Sequence, residues 1–123
     1  IKRKVNIELM NLAANELKNY RNFKAFSKVK TQVYTYNCEV YKAEWKQLNN
    51  GVLEFNITAN RFLRNMVRAI VGTLIEVGLK KISISDFKHI IESEERSKAG
   101  KSVPAEALCL NQIQYPKQFM PHE

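Results

Sequence analysis

The run Asn60-Arg61-Phe62-Leu63-Arg64-Asn65-Met66-Val67-Arg68-Ala69-Ile70-Val71-Gly72-Thr73-Leu74-Ile75-Glu76-Val77 decides the fold, because there the apolar pattern of the chain changes its period. At about 100° per residue, Phe62, Leu63, Met66, Val67, Ile70, Leu74 and Val77 gather on one side. The pattern predicts a helix from about Asn60 to Val77 whose apolar side packs on a sheet, with Gly78 placed just after the last turn. Arg61, Arg64 and Arg68 fall at i, i+3 and i+7, so this helix would carry a cationic ridge roughly opposite the apolar stripe. Asn65 and Gly72 border the ridge. Glycine inside a helix costs about 1 kcal/mol relative to alanine, so Gly72 points to a close backbone approach. Three guanidiniums on one face suit phosphates, since each planar fork can bind an oxyanion through two N–H groups. A solvated outer face is the plainer reading, yet the run has no acid before Glu76 to pair with the arginines along the helix.

Just before this run, Leu53, Phe55 and Ile57 alternate with Glu54, Asn56 and Thr58, as in a strand with one buried face. Asn49-Asn50-Gly51 tolerates positive φ and predicts a tight hairpin turn back to Gln32–Leu48, a segment rich in Val, Tyr, Thr and Trp. Near the start, Asn6 can cap a helix reaching about Tyr20, with Leu9, Met10, Ala13 and Leu17 on one face; Phe23 and Phe26 then punctuate a basic loop. Past Gly78, Ser85 caps a shorter helix carried inward by Phe87, Ile90 and Ile91 and ending in Glu92, Glu94 and Glu95. Residues 96 to 107 read as loop, and Leu108 to Tyr115 as a last strand stopped by Pro116. The expected fold is one α+β domain over residues 1–123, with a small, mainly antiparallel sheet and helices on one face.

Composition narrows the function classes. A chain of 123 residues with 45% apolar and 26% charged residues is long enough for one core and too apolar for disorder. Lys and Arg total 20 against 12 acids, which favours a polyanionic partner. The excess sits in two blocks, with eight Lys/Arg against two Glu in residues 1–30 and nine against five acids in residues 61–101. Cys38 and Cys109 stand far apart with no CxxC, and no stretch approaches the roughly 20 apolar residues that span a bilayer. A reducing, cytoplasmic setting without a membrane anchor is expected. The chain opens at Ile1 rather than Met, which suggests a processed product or a piece of something longer.

Weaker motifs fall away. Ala99-Gly100-Lys101-Ser102 mimics the end of a phosphate-binding loop, but the required first glycine would stand at Glu95. His89 and His122 lack ligand-like neighbours, so neither a metal site nor Cys–His catalysis is expected. Tyr34, Tyr36, Tyr41 and Trp45 could stack bases, although strand core is the commoner use of such residues. Asp86 is the single Asp of the chain and sits in a helix first turn, where a carboxylate favours the helix end.

With Ala59 to Leu74 in view, the chain resembles the C-terminal half of the bacterial tRNA pseudouridine synthase A family. The resemblance extends to Ala13-Ala14-x-x-Leu17, Asn22-Phe23-x-x-Phe26, the Trp45 strand, Ala99-Gly100, Val103-Pro104-Ala105-Glu106-Ala107-Leu108 and Tyr115-Pro116, covering about residues 6 to 116. Ala107 departs from the family's usual glycine, and a backbone needing positive φ there would be strained. The resemblance implies conversion of uridine to pseudouridine at positions 38 to 40 of the tRNA anticodon stem-loop, without metal or organic cofactor, by a homodimer. It further implies a nucleophilic Asp in an Arg-Thr-Asp-x-Gly stretch of the N-terminal half, which this sequence lacks, so the chain alone would be inactive. Arg68 matches the family's helix arginine that pairs with that Asp, and Leu108 an apolar wall of the uracil pocket. Arg61, Arg64, Asn65, Lys98 and Lys101 are expected to touch the tRNA. Two readings stay open: a cleft-completing portion of an RNA-modifying isomerase, partnered by its own N-terminal half, or a non-catalytic nucleic-acid-binding or dimerising module.

Overall fold

The computed structural model describes residues 5–27, 35–48, 53–103 and 113–114. Strand β1 (Val40–Gln47) pairs antiparallel with β2 (Leu53–Ala59), in a register running from Gln47 opposite Leu53 to Val40 opposite Ala59, with one bulge between Val40 and Lys42. The alternation read for β2 holds: Phe55, Ile57 and Ala59 are buried, while Glu54, Asn56 and Thr58 are only partly covered. Across the pair Trp45 faces Phe55 with ring centroids 4.8 Å apart, so this tryptophan belongs to the core. Strand β3 (Ile113–Gln114) lies parallel to β2 on its other side, giving the order β1-β2-β3. With its helices, the chain is α+β, as expected. The Asn49-Asn50-Gly51 turn, Tyr34, Ala107 and the early part of the last strand lie outside the described residues.

Helix α1 (Ile7–Asn15) starts where the sequence puts it, with Asn6 Oδ1 accepting from Leu9 N–H at 3.0 Å. It ends sooner than expected. The N–H of Glu16 is shared between the Ala13 and Ala14 carbonyls, and residues Glu16–Asn19 tighten into a 3₁₀ turn that still buries Leu17. The side chain of Asn11 also closes the outer edge of β1: its amide accepts from Trp45 N–H and donates to Trp45 carbonyl, standing in for a neighbouring strand.

Helix α2 (Met66–Gly78) begins six residues later than the apolar period predicts. Asn65 adopts the left-handed region at φ 69°, which no continuous right-handed helix can contain, and so residues 60–65 form an irregular entry. Leu63 is buried all the same, plugging the core from that entry segment. The expected one-sided stripe is corrected too. All but Arg68, Ile75 and Glu76 of α2 are buried, because residues 96–103 cover the face that was expected to meet solvent. Nor does Gly78 serve as a left-handed terminator: it is helical, and Lys80 takes the positive φ of 65°. The glycine leaves room for α1, since a Cβ there would lie 2.5 Å from Met10 Sδ and that flexible side chain would have to shift.

Helix α3 (Ile84–Ser93) is capped by Ser83 rather than Ser85. Ser83 Oγ accepts from Asp86 N–H at 3.0 Å, and Asp86 Oδ2 accepts from Ser83 N–H at 2.9 Å, a reciprocal box that Ser85 has no acid three residues on to complete. Hydrogen bonds from Ser83 hold the Asp86 carboxyl below its ordinary range, in keeping with a structural role. Phe87, Ile90 and Ile91 point inward as expected, and Phe87 lies 6.0 Å from Phe26, which lies 6.5 Å from Phe23.

Candidate active site

The N-terminal end of α2 collects most of the singled-out residues, and the way the chain arrives there sets their geometry. At the end of β2, Asn60 is pinned by two bonds to Glu39, its N–H donating to the Glu39 carbonyl at 3.0 Å and its Oδ1 accepting from Glu39 N–H at 2.8 Å. Arg61 then turns back: its Nη1 donates to the carbonyls of Thr35 and Asn37, both at 3.1 Å. It therefore fastens the segment before β1 to the β2–α2 connection. The ridge expected from helical spacing does not form, since Arg61 and Arg64 precede the helix and only Arg68 lies on it. Arg64 is exposed at the turn, and Asn65 directs its amide across to Ser102 Oγ at 2.7 Å. Beneath them Met66 is fully buried, its sulfur accepting from Leu63 N–H at 3.4 Å and facing Cys38 Sγ at 3.8 Å. Burial pushes the Cys38 thiol up, so this cysteine is an inert core group.

Residues 96–103 lie directly against α2, and two glycines make that approach possible. A Cβ on Gly72 would stand 1.8 Å from the Lys101 carbonyl oxygen, and one on Gly100 would stand 2.9 Å from Glu76 Oε2 and 3.1 Å from Thr73 Cα. The close backbone approach expected at Gly72 is thus made by Lys101. Thr73, fully buried, has its hydroxyl satisfied twice: it donates to Ala69 carbonyl at 2.8 Å and accepts from Gly100 N–H at 2.9 Å. Arg96, in a 3₁₀ turn at 96–98, donates from Nη1 to Gly100 carbonyl at 3.0 Å and from Nη2 to Ser102 Oγ at 2.8 Å.

Arg68 is gripped at both ends. Its carbonyl accepts from Val103 N–H at 3.1 Å, and its Nε donates to Val103 carbonyl at 2.8 Å. Among the described residues the half-buried guanidinium is held by one of its five donors, Nε, and there Nη1 and Nη2 remain for a planar acceptor such as a carboxylate. Among the described residues the ion pairs are Arg21 with Glu39 and Lys42 with Glu44, so Arg64, Arg68, Arg96, Lys98 and Lys101 are none of them matched there by an acid. Arg64, Lys98 and Lys101 are exposed. No acid stands in the first turn of α2, and the positive end of its dipole adds to the same sign of charge. The arrangement suits an anionic group on the half-buried arginine and a polyanion outside it.

Leu108, the remaining predicted site residue, lies outside the described residues. Sequence reasoning missed Arg96, Ser102 and Val103; the one signal pointing to them was the pair of glycines, Gly72 inside a helix and Gly100 in a loop. Among the described residues no group of three or more His, Cys, Asp or Glu could hold a metal ion, and no helix is long and apolar enough to cross a membrane.

The chain is 55% identical to tRNA pseudouridine synthase A of Porphyromonas gingivalis over 118 residues, which is 95% of this chain and 47% of that protein. With the enzyme of the same name from Clostridium acetobutylicum it shares 42% identity over 116 residues, 91% of this chain and 46% of that protein; with the one from Bdellovibrio bacteriovorus, 36% over 115 residues, 94% and 44%. The chain therefore spans about half the length of the curated relatives it matches. Residues 13–116 match the model of the family described as tRNA pseudouridine synthase, and the chain belongs to that family.

Proposed function

We propose that this chain is the C-terminal portion of a tRNA pseudouridine synthase that isomerises uridine to pseudouridine at positions 38 to 40 of the anticodon stem-loop. The N-terminal half of the same protein supplies the nucleophilic Asp. Arg68 meets that carboxylate, keeps it ionised by opposite charge and fixes its direction, so that it attacks a nucleoside extruded from the stem. The bond from the ribose C1′ to uracil N1 breaks, the base rotates and bonds to C1′ through C5, and the proton lost from C5 is balanced by one gained at N1, with Leu108 as one apolar wall of the uracil pocket. One observation carries the reading: a half-buried guanidinium is anchored through Nε to Val103, with its other donors unmatched by any acid among the described residues.

Exposed Arg64, Lys98 and Lys101 contact the tRNA backbone. Arg61 and Asn65, whose nitrogens are engaged at Thr35, Asn37 and Ser102, act at the same surface mainly by shaping it. No metal or organic cofactor takes part. The whole protein works in the cytoplasm as a homodimer. In the full-length protein, Arg68→Ala should lower pseudouridine formation on tRNA by about a thousandfold or more while tRNA binding stays within a few-fold. Unchanged turnover in that variant would refute the role given to Arg68, and a wild-type protein that binds tRNA but forms no pseudouridine would leave the non-catalytic binding module as the answer.

A further inference from the structure

One bond from the start of α2 and one from within residues 96–103 converge on the residue next to the anchor of Arg68. Ser102 Oγ accepts from Asn65 Nδ2 at 2.7 Å and from Arg96 Nη2 at 2.8 Å, which occupies both lone pairs of the hydroxyl. These donors come from opposite sides, Asn65 from the left-handed turn that opens α2 and Arg96 from the 3₁₀ turn that opens the loop. The second Nη of Arg96 reaches Gly100 carbonyl at 3.0 Å, so one guanidinium spans the bend on which Ser102 sits. The next residue, Val103, is bonded twice to Arg68. A carbonyl is only as well aimed as the peptide that carries it, and an arginine whose Nε is free can present either edge of its fork.

We propose that Asn65, Ser102 and Arg96 form a positioning clamp: they hold the Val103 carbonyl on Arg68 Nε and so reserve Nη1 and Nη2 of Arg68 for the incoming carboxylate. The catalytic consequence rests on the proposed function, whereas the clamp itself does not. The three residues act through Val103 and touch neither substrate nor nucleophile.

The test uses the full-length protein with two readouts, solvent exchange of the Arg68 Nε–H by nitrogen-edited NMR and steady-state pseudouridine formation on tRNA. Ser102→Ala should speed Nε–H exchange about tenfold and lower kcat about tenfold with KM for tRNA unchanged, and Ser102→Thr, which keeps the oxygen, should restore both. In an Arg68→Lys background, Ser102→Ala should cost nothing further. Unchanged Nε–H exchange in Ser102→Ala, or an equal loss of kcat in both backgrounds, would overturn the clamp. Should Ser102→Ala fail to fold, Asn65→Ala removes one donor only and is read by Nε–H exchange and by kcat at saturating tRNA, since Asn65 also shapes the tRNA surface. Faster Nε–H exchange together with full turnover in Arg68→Lys would leave the clamp standing and remove the catalytic role of Arg68 instead.

Discussion

The C-terminal end of α2 and the half that runs from its midpoint to its N-terminus solve the same steric problem by different chemistry. At its C-terminal end Gly78 admits the thioether of Met10, an apolar and flexible neighbour, and the contact is ordinary core packing between α1 and α2. From its midpoint toward its N-terminus, Gly72 admits a peptide carbonyl, that of Lys101, and the surrounding contacts are hydrogen bonds that Asn65, Arg68 and Arg96 donate and that Thr73 accepts. One helix thus has a dry end that stabilises and a polar end that aims side chains. The difference teaches where to look for function: a backbone brought against a helix by polar bonds restrains direction in a way that apolar contact does not.

Substitutions that act on one end only would sharpen or break this contrast. Gly72→Ala has the largest expected effect, because its Cβ would meet main-chain atoms that cannot swing aside. It should lower stability by about 2–3 kcal/mol in denaturant titration and cut pseudouridine formation by about a hundredfold in the full-length protein. Gly78→Ala meets the far end of a flexible side chain and gains helix propensity in return, so it should cost about 1 kcal/mol and leave kcat alone. A larger loss of activity from Gly78→Ala than from Gly72→Ala would break the comparison. Ser83→Ala, which opens the cap of α3 away from the polar end, should cost about 1 kcal/mol with no change in turnover. Smallest is Lys101→Ala, expected to weaken tRNA binding modestly and uniformly across tRNAs and to lower the slope of log affinity against log salt by about 1, as measured by binding at several salt concentrations.

Much of this could be read from residue order alone, where one local rule acted unopposed. Strand β2 declared itself by alternation and α1 by its Asn6 cap, because burial and hydrogen bonding there agree with the local pattern. The start of α2 could not be read in the same way. Phe62 and Leu63 stand at helical spacing, yet they reach the core from an irregular segment, and the tolerance of asparagine for positive φ was the one hint that Asn65 is left-handed. Ser83 rather than Ser85 has an acid three residues on, Asp86, and that acid completes the box and sets the start of α3. The partners of Arg68 were the hardest to see. Arg96, Ser102 and Val103 lie in a loop with no period, and their relation to the helix is a tertiary fact that Gly72 and Gly100 merely hinted at. Arg68 itself was singled out correctly as a residue of the helix, while Arg61 was assigned to a ridge that the left-handed turn abolishes.

In the proposed function Arg68 pairs by charge with a carboxylate from the other half of the protein. The most direct measurement of this pairing is the acid limb of kcat/KM against pH for the full-length protein and its Arg68→Gln variant. A neighbouring guanidinium lowers a carboxylate pKa by about one to three units, so the variant's limb should move up by that amount. A limb at the same pH in both proteins would contradict the pairing.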